Sequence, residues 1–223
     1  MVSQLYFWKP LMEMHKKELT LVKDYYDRTK LYFENIEGEA ESYANSIYNN
    51  YTGSTDMDVV AEWASEKGLE MYQTLAIMKS NHLLMTISML YYVWEQQLRR
   101  FIINELRHSY VFDKKRLEYS DIQEILELHG VKIGDTKSWS IIRELKFLVN
   151  TIKHGDGNSA DKLRKVRPDF FKHKMIETDL LDLNDAVLLD SISLQIDEND
   201  LYNYVNATKG FWDEMPERAF ESE

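Results

Sequence analysis

Apolar side chains recur along this chain at three- and four-residue intervals far more often than in strict alternation, the pattern of helices that bury one face. Leu19, Val22, Tyr25 and Tyr26, then Tyr32, Phe33 and Ile36, predict one or two amphipathic helices over residues 11–50. Asn49-Asn-Tyr-Thr-Gly-Ser54 breaks the pattern, and Ser54, Thr55 and Asp56 are candidate N-caps for the next helix. A helical pattern then runs to about Leu106, with an interruption expected near Gly68. Its strongest part is Leu83–Leu106, where Leu83, Ile87, Leu90, Tyr91, Trp94, Leu98, Phe101 and Ile102 form one stripe and Glu95 and Arg99 are spaced to pair. Ser120–Leu128 reads as a short helix opened by Ser120 with Gln123 and Glu124. Gly130-Val-Lys-Ile-Gly134 is a turn, and a helix from Ser138 to His154 ends at Gly155. Residues 155–174 read as irregular. In 179–196, Leu194 and Ile196 alternate with polar neighbours, which fits a short strand or hairpin. Asp197 with Asp200 opens a last helix carrying Leu201, Tyr204, Val205, Phe211 and Trp212, and the acidic tail after Pro216 is expected to fray.

These elements predict a mainly α, all-α class fold: a helical bundle in which Leu83–Leu106 packs against Ser138–His154, with at most a minor β element near residues 180–196. The expected organisation is an N-terminal helical region (1–55), the bundle (56–215) and an acidic tail (216–223). Composition agrees with this. Three prolines and eight glycines leave few breakers, and 44% apolar with 29% charged residues is a globular balance. There is no cysteine, so disulfides, thiolate metal sites and a cysteine nucleophile are excluded. The first ten residues lack the basic and apolar regions of a signal peptide. No stretch reaches the ~18 uninterrupted apolar residues of a membrane span. A cytoplasmic location and no membrane partner are the expectation.

Charge changes the picture locally. The net charge is −11, which repels nucleic acid as a whole. From Arg143 to Lys174, however, nine Lys and Arg stand against four acids, so this segment is +5 and the remainder −16. Within it Lys162, Arg164, Lys165, Arg167, Lys172 and Lys174 interleave with Phe170 and Phe171. That arrangement suits a groove that tracks a phosphate backbone and stacks bases. It equally suits a loop anchored by its phenylalanines with solvated lysines.

On a helical wheel of ~100° per residue, Ile141, Ile142, Leu145, Leu148, Val149 and Ile152 share the core-facing arc, and Arg143, Phe147, Asn150 and His154 lie opposite. An aromatic on the polar stripe suggests a covered surface, and a second subunit could cover it. Lys153-His154-Gly155 has two readings. It is what a helix C-terminus favours, cations against the carbonyl end and glycine beyond it, and it is a candidate reactive segment. His15, His82, His108, His129 and His173 are scattered singly, and no metal-ligand spacing or phosphate-binding glycine loop occurs.

Asn150, three residues, then His154 at a helix end followed by glycine resembles the signature of HEPN domains, which are all-α bundles, often dimeric, of bacterial toxin–antitoxin, abortive-infection and CRISPR-associated proteins. The family motif is Arg, a polar residue, about three residues, then His; Val149 stands at the Arg position here. The helix Tyr91-Tyr-Val-Trp-Glu95-Gln-Gln-Leu-Arg99 is similar to an earlier helix of such bundles. The resemblance implies a homodimer and metal-independent, cofactor-free RNA cleavage, with His154 moving the proton, Asn150 holding imidazole or phosphate, and Lys153 or a partner's Arg143 supplying the cation. A second implication is a non-catalytic binding or scaffold module, such as a sensor subunit or an antitoxin-like partner of a protein encoded nearby.

Overall fold

One fifty-residue helix, α3 (Met57–Leu106), organises the chain. The computed structural model describes residues 3–107, 117–173 and 178–221. Asp56 caps α3 by accepting the Asp58 backbone N–H at 3.0 Å. No proline interrupts it, so it runs for about 75 Å. The interruption expected at Gly68 does not occur. A side chain there would place its Cβ 2.9 Å from the Ala44 Cβ, so the glycine marks a close helix–helix approach.

Ahead of α3 come α1 (Lys9–Thr29), a 3₁₀ turn (Lys30–Phe33) and α2 (Ile36–Asn49). After it come α4 (Tyr119–Leu128), α5 (Trp139–His154), α6 (Asn158–Val166), a 3₁₀ turn (Pro168–Phe171), the single-turn α7 (Leu180–Asn184) and α8 (Glu198–Asp213). The fold is mainly α, with α3 packed on α5 as its apolar stripe requires. The minor β element lies elsewhere than expected. Residues 180–196 hold α7 and turns, whereas β1 (Gln4–Tyr6) pairs antiparallel with β2 (Arg218–Phe220). The acidic tail therefore closes on the start of the chain: Leu5 is opposite Ala219, and Ala219 is buried.

The core lies around the C-terminal half of α3. Trp94, Leu98 and Phe101 meet Phe211 and Trp212 of α8, with Trp94 and Phe211 edge to face at 5.2 Å. α1 contributes Met12, Leu19 and Val22 to this same cluster, so residues 1–55 do not form a separate unit. The buried polar joint is Gln97. Its amide donates to the His15 carbonyl at 3.0 Å and to Glu18 Oε2 at 2.8 Å, and its Oε1 accepts the Trp212 indole N–H at 3.1 Å. Three helices are thus joined by one side chain with its groups satisfied. The N-terminal half of α3 stands apart. Ile36 and Ala40 of α2 and Val60, Ala64 and Leu75 of α3 are buried, and none of them belongs to the main core.

Gln97→Met leaves the Trp212 indole N–H buried without an acceptor. Urea unfolding of this variant is expected to show a loss of roughly 1–3 kcal/mol. The exposed neighbour's variant, Gln96→Met, serves as the reference and stays close to the parent.

Candidate functional site

Helix α5 divides its faces as the sequence implies. Ile142, Leu145, Leu148, Val149, Thr151 and Ile152 are buried, while Arg143, Lys153 and His154 are exposed and Phe147 and Asn150 half-buried. Asn150 and His154 are one turn apart, and among the described residues neither side chain has a hydrogen-bond or ion-pair partner. The helix stops at Gly155, whose φ of 71° favours glycine and whose N–H bonds the Thr151 carbonyl at 2.9 Å. A Cβ there would lie 2.4 Å from the Asp185 carbonyl oxygen, so the turn beside His154 tolerates no side chain.

Residues expected to be irregular fold back as α6 along α5. α6 also covers Phe147: the Lys162 ammonium sits 5.7 Å from its ring centre. The stripe is partly roofed from within the chain, so the aromatic does not require a second subunit.

The basic island resolves into two kinds of cation. Arg164 grips Asp156 with two hydrogen bonds, at 2.6 and 3.0 Å, and reaches Asp179 Oδ2 at 2.7 Å. Asp179 in turn caps α7. Arg167 lies 3.7 Å over the Phe170 ring and bonds Glu144 and Asp200, each at 2.9 Å, and Asp169. The Arg164 guanidinium holds the Asp156 carboxyl below the usual carboxylate range, and Arg167 does the same for Asp169. Both arginines thus have carboxylate partners from the same chain. Phe170 and Phe171 are buried, 0% and 4% exposed, each under an arginine, so they anchor the segment and offer no face for stacking bases. Lys162, Lys165 and Lys172 remain exposed, and Lys174 lies outside the described residues.

Sequence reasoning missed Lys146, although it precedes Asn150 by four residues on the same side of α5. It is half-buried, 4.0 Å over the Tyr119 ring. Burial lowers the pKa of its ammonium and the Lys162 charge adds to that, while Glu95 opposes it. Glu95 itself accepts the Tyr91 hydroxyl at 3.1 Å. Lys146 and Lys162 thus flank Phe147 beside Asn150, and neither makes an ion pair among the described residues. Arg143, eleven residues before His154, is about 16 Å away along the axis and cannot share a phosphate with it in one chain.

Three of the other histidines, His15, His82 and His129, pack or cap. His15 is buried beside Trp212, burial holds its pKa down, and its Nε2 is unpartnered. His82 stacks on Tyr26, and His129 bonds the Ile125 carbonyl and the Ser3 hydroxyl. His108 lies outside the described residues. Among the described residues no three His, Asp or Glu side chains are grouped to hold a metal ion, and no helix is long and apolar enough to cross a membrane. Compared with known protein families, curated proteins and solved structures, the chain finds no match.

The Arg164 clamp generates a pH-dependent prediction. The folded-state pKa of Asp156 lies below its unfolded value of ~3.9. Its contribution is therefore complete above that pH and is lost as pH falls through the folded value. Arg164→Met should destabilise the fold at pH 7 by roughly 1–3 kcal/mol, because Asp156 and Asp179, 21% and 28% exposed, lose their partner. The deficit relative to the parent should shrink below about pH 4. Urea unfolding at pH 7, 5 and 3 measures this, and a pH-independent deficit would contradict the clamp.

Proposed function

We infer that this is an HEPN-like protein of prokaryotic defence or toxin–antitoxin type whose α5–α6 hairpin cleaves RNA without a metal, with His154 as the proton-transfer group. The observation that carries this reading is the free Asn150–His154 pair, one turn apart on the solvent side of α5, with Lys146, Lys153 and Lys162 on or over the same face. In the reaction the 2′-hydroxyl attacks the adjacent phosphorus. The 2′-oxygen–phosphorus bond forms and the bond to the 5′-oxygen breaks, leaving a 2′,3′-cyclic phosphate and a 5′-hydroxyl. The His154 imidazole takes the 2′-hydroxyl proton, the departing 5′-oxygen takes a proton from water, and His154 then returns its own to solvent. Asn150 orients the imidazole or a phosphoryl oxygen. The cation that offsets charge on the phosphoryl oxygens is assigned to Lys162 or Lys153, which removes the need for Arg143 from a partner.

A second reading has its own observation. Val149, at the family's Arg position, is 1% exposed and faces the core, so a cation in that register would point away from His154. With Arg164 and Arg167 paired internally and the chain at −11, the hairpin also suits a non-catalytic binding module that docks a partner protein.

One experiment separates them. Purified parent and His154→Ala are incubated with total RNA, with and without EDTA, and both are followed by thermal melting. The nuclease reading expects cleavage by the parent that EDTA does not change, and a loss of ~10²–10⁴-fold in His154→Ala at unchanged melting temperature. Lys153→Gln/Lys162→Gln/Lys165→Gln should weaken RNA binding and flatten its salt dependence. Equal cleavage by parent and His154→Ala would exclude His154 as the proton carrier, and no cleavage by either favours the module.

A further inference from the structure

A cleft opens where α1, the start of α2, the middle of α3 and the start of α8 meet. Its volume is about 450 Å³, within the ~300–1,000 Å³ of ligand clefts. A smaller cavity of about 120 Å³ shares Tyr26, Lys79 and Glu198 with it and extends it to Lys30. Ile36, Leu83, Leu84 and Leu194 supply the apolar part of the lining, and all four are buried.

The wall formed by residues 190–198 is fixed by its own hydrogen bonds. Asp190 Oδ1 accepts the Ile192 and Ser193 N–H groups at 2.9 and 2.7 Å. The Gln195 N–H donates to the Phe170 carbonyl at 2.7 Å, and its side-chain amide donates to the Ile192 carbonyl at 3.0 Å. Asp197 caps α8 by accepting the Asn199 N–H at 2.8 Å and the Asp200 N–H at 3.3 Å. A cleft with a wall held in this way costs a ligand little ordering entropy.

The charged groups of the lining fall into two sets. Glu198 is engaged through both oxygens, by the Tyr26 hydroxyl at 3.3 Å and the Lys30 ammonium at 2.6 Å. Asp197 is committed to its cap. Glu37 and Lys79 differ. They line the same cleft from α2 and α3, which lie close enough for Gly68 to meet Ala44. Yet they form no ion pair with each other, and neither side chain has a hydrogen-bond partner among the described residues. The cleft thus presents an unmatched carboxylate and an unmatched ammonium beside apolar side chains.

This pattern selects the ligand. A simple anion would meet Lys79 but also Glu37, Asp197 and Glu198, three like charges. A simple cation would meet Glu37 and be repelled by Lys79. A zwitterion matches both charges at once, and an apolar body matches the rest of the lining. We propose that the cleft binds a free α-amino acid with an apolar side chain, its ammonium on Glu37, its carboxylate on Lys79 and its side chain against Ile36, Leu83 and Leu194. Neither Asn150 nor His154 lines the cleft, so the inference stands apart from the RNA reading.

The test titrates the full chain with four probes and follows the backbone amides by NMR. The probes are L-leucine, glycine, isoamylamine (leucine without its carboxylate) and isocaproate (leucine without its ammonium). Leucine should bind with a Kd on the order of 1 mM or below and shift the amides of Gln195 and Ile196. Glycine keeps both charges but lacks the apolar body, and should bind about 30-fold or more weakly. Glu37→Gln and Lys79→Gln should each weaken leucine about 3–5-fold. The effects should cross: Lys79→Gln does not weaken isoamylamine, and Glu37→Gln does not weaken isocaproate. Both side chains are exposed, so each variant should keep the parent's far-ultraviolet spectrum. No saturable shift by roughly 10 mM leucine, glycine or isoamylamine bound as tightly as leucine, or leucine binding that neither substitution changes would each overturn the proposal.

Discussion

The position of the candidate site depends on one ion cluster, Arg167 with Glu144 and Asp200. Arg167 comes just after α6, Glu144 lies on α5 and Asp200 on α8, so one guanidinium joins three segments that are remote in sequence. The two acids are only 16% and 15% exposed, and the Tyr204 hydroxyl donates to Glu144 at 2.7 Å from a buried ring. Desolvation of such a cluster is costly, and here it is offset because the planar donor set meets three carboxylates and sits over the Phe170 ring. Holding the end of α6 in this way keeps Lys162 over Phe147 and leaves the Asn150–His154 edge uncovered. The Arg164–Asp156 pair repeats the device at the start of the same hairpin, so the turn after α5 is fastened on both sides.

Much of this was legible in the sequence where the determinants are local. The α5 stripe and its glycine stop are properties of consecutive residues, and so is the capping box of Asp197 and Asp200. At α4 the box is formed by Glu118 and Asp121 instead of the expected Ser120, because acids serve this geometry as well as hydroxyls. α6 escaped notice because Gly157 and Arg167-Pro168 bound only nine residues, of which just Ala160 and Leu163 are buried. Two glycines and a proline outweighed so short a period.

The character of the basic island was illegible for a different reason. Counting charges within Arg143–Lys174 records its excess of cations but not their partners, and two of those partners, Asp179 and Asp200, lie outside the window. Ion pairing across the fold is invisible to a local sum. The same holds for Gly68, which reads as a helix breaker when only its propensity is considered, and for the two three-residue strands, whose partners are at opposite ends of the chain.

That last pairing has a consequence for how the protein is made. Gln4 meets Phe220, so β1 has no partner until synthesis has passed residue 220. At about 5–20 residues per second of synthesis, the segment waits for tens of seconds. Through that interval Leu5 and Phe7, both buried at the end, are exposed on a nascent polypeptide, and the face of Phe101 on which Phe7 stacks at 4.5 Å stays uncovered. The pairing that closes over this part of the core joins residues 4 and 220, so the loop it closes is long and its contacts are among the slow ones to form.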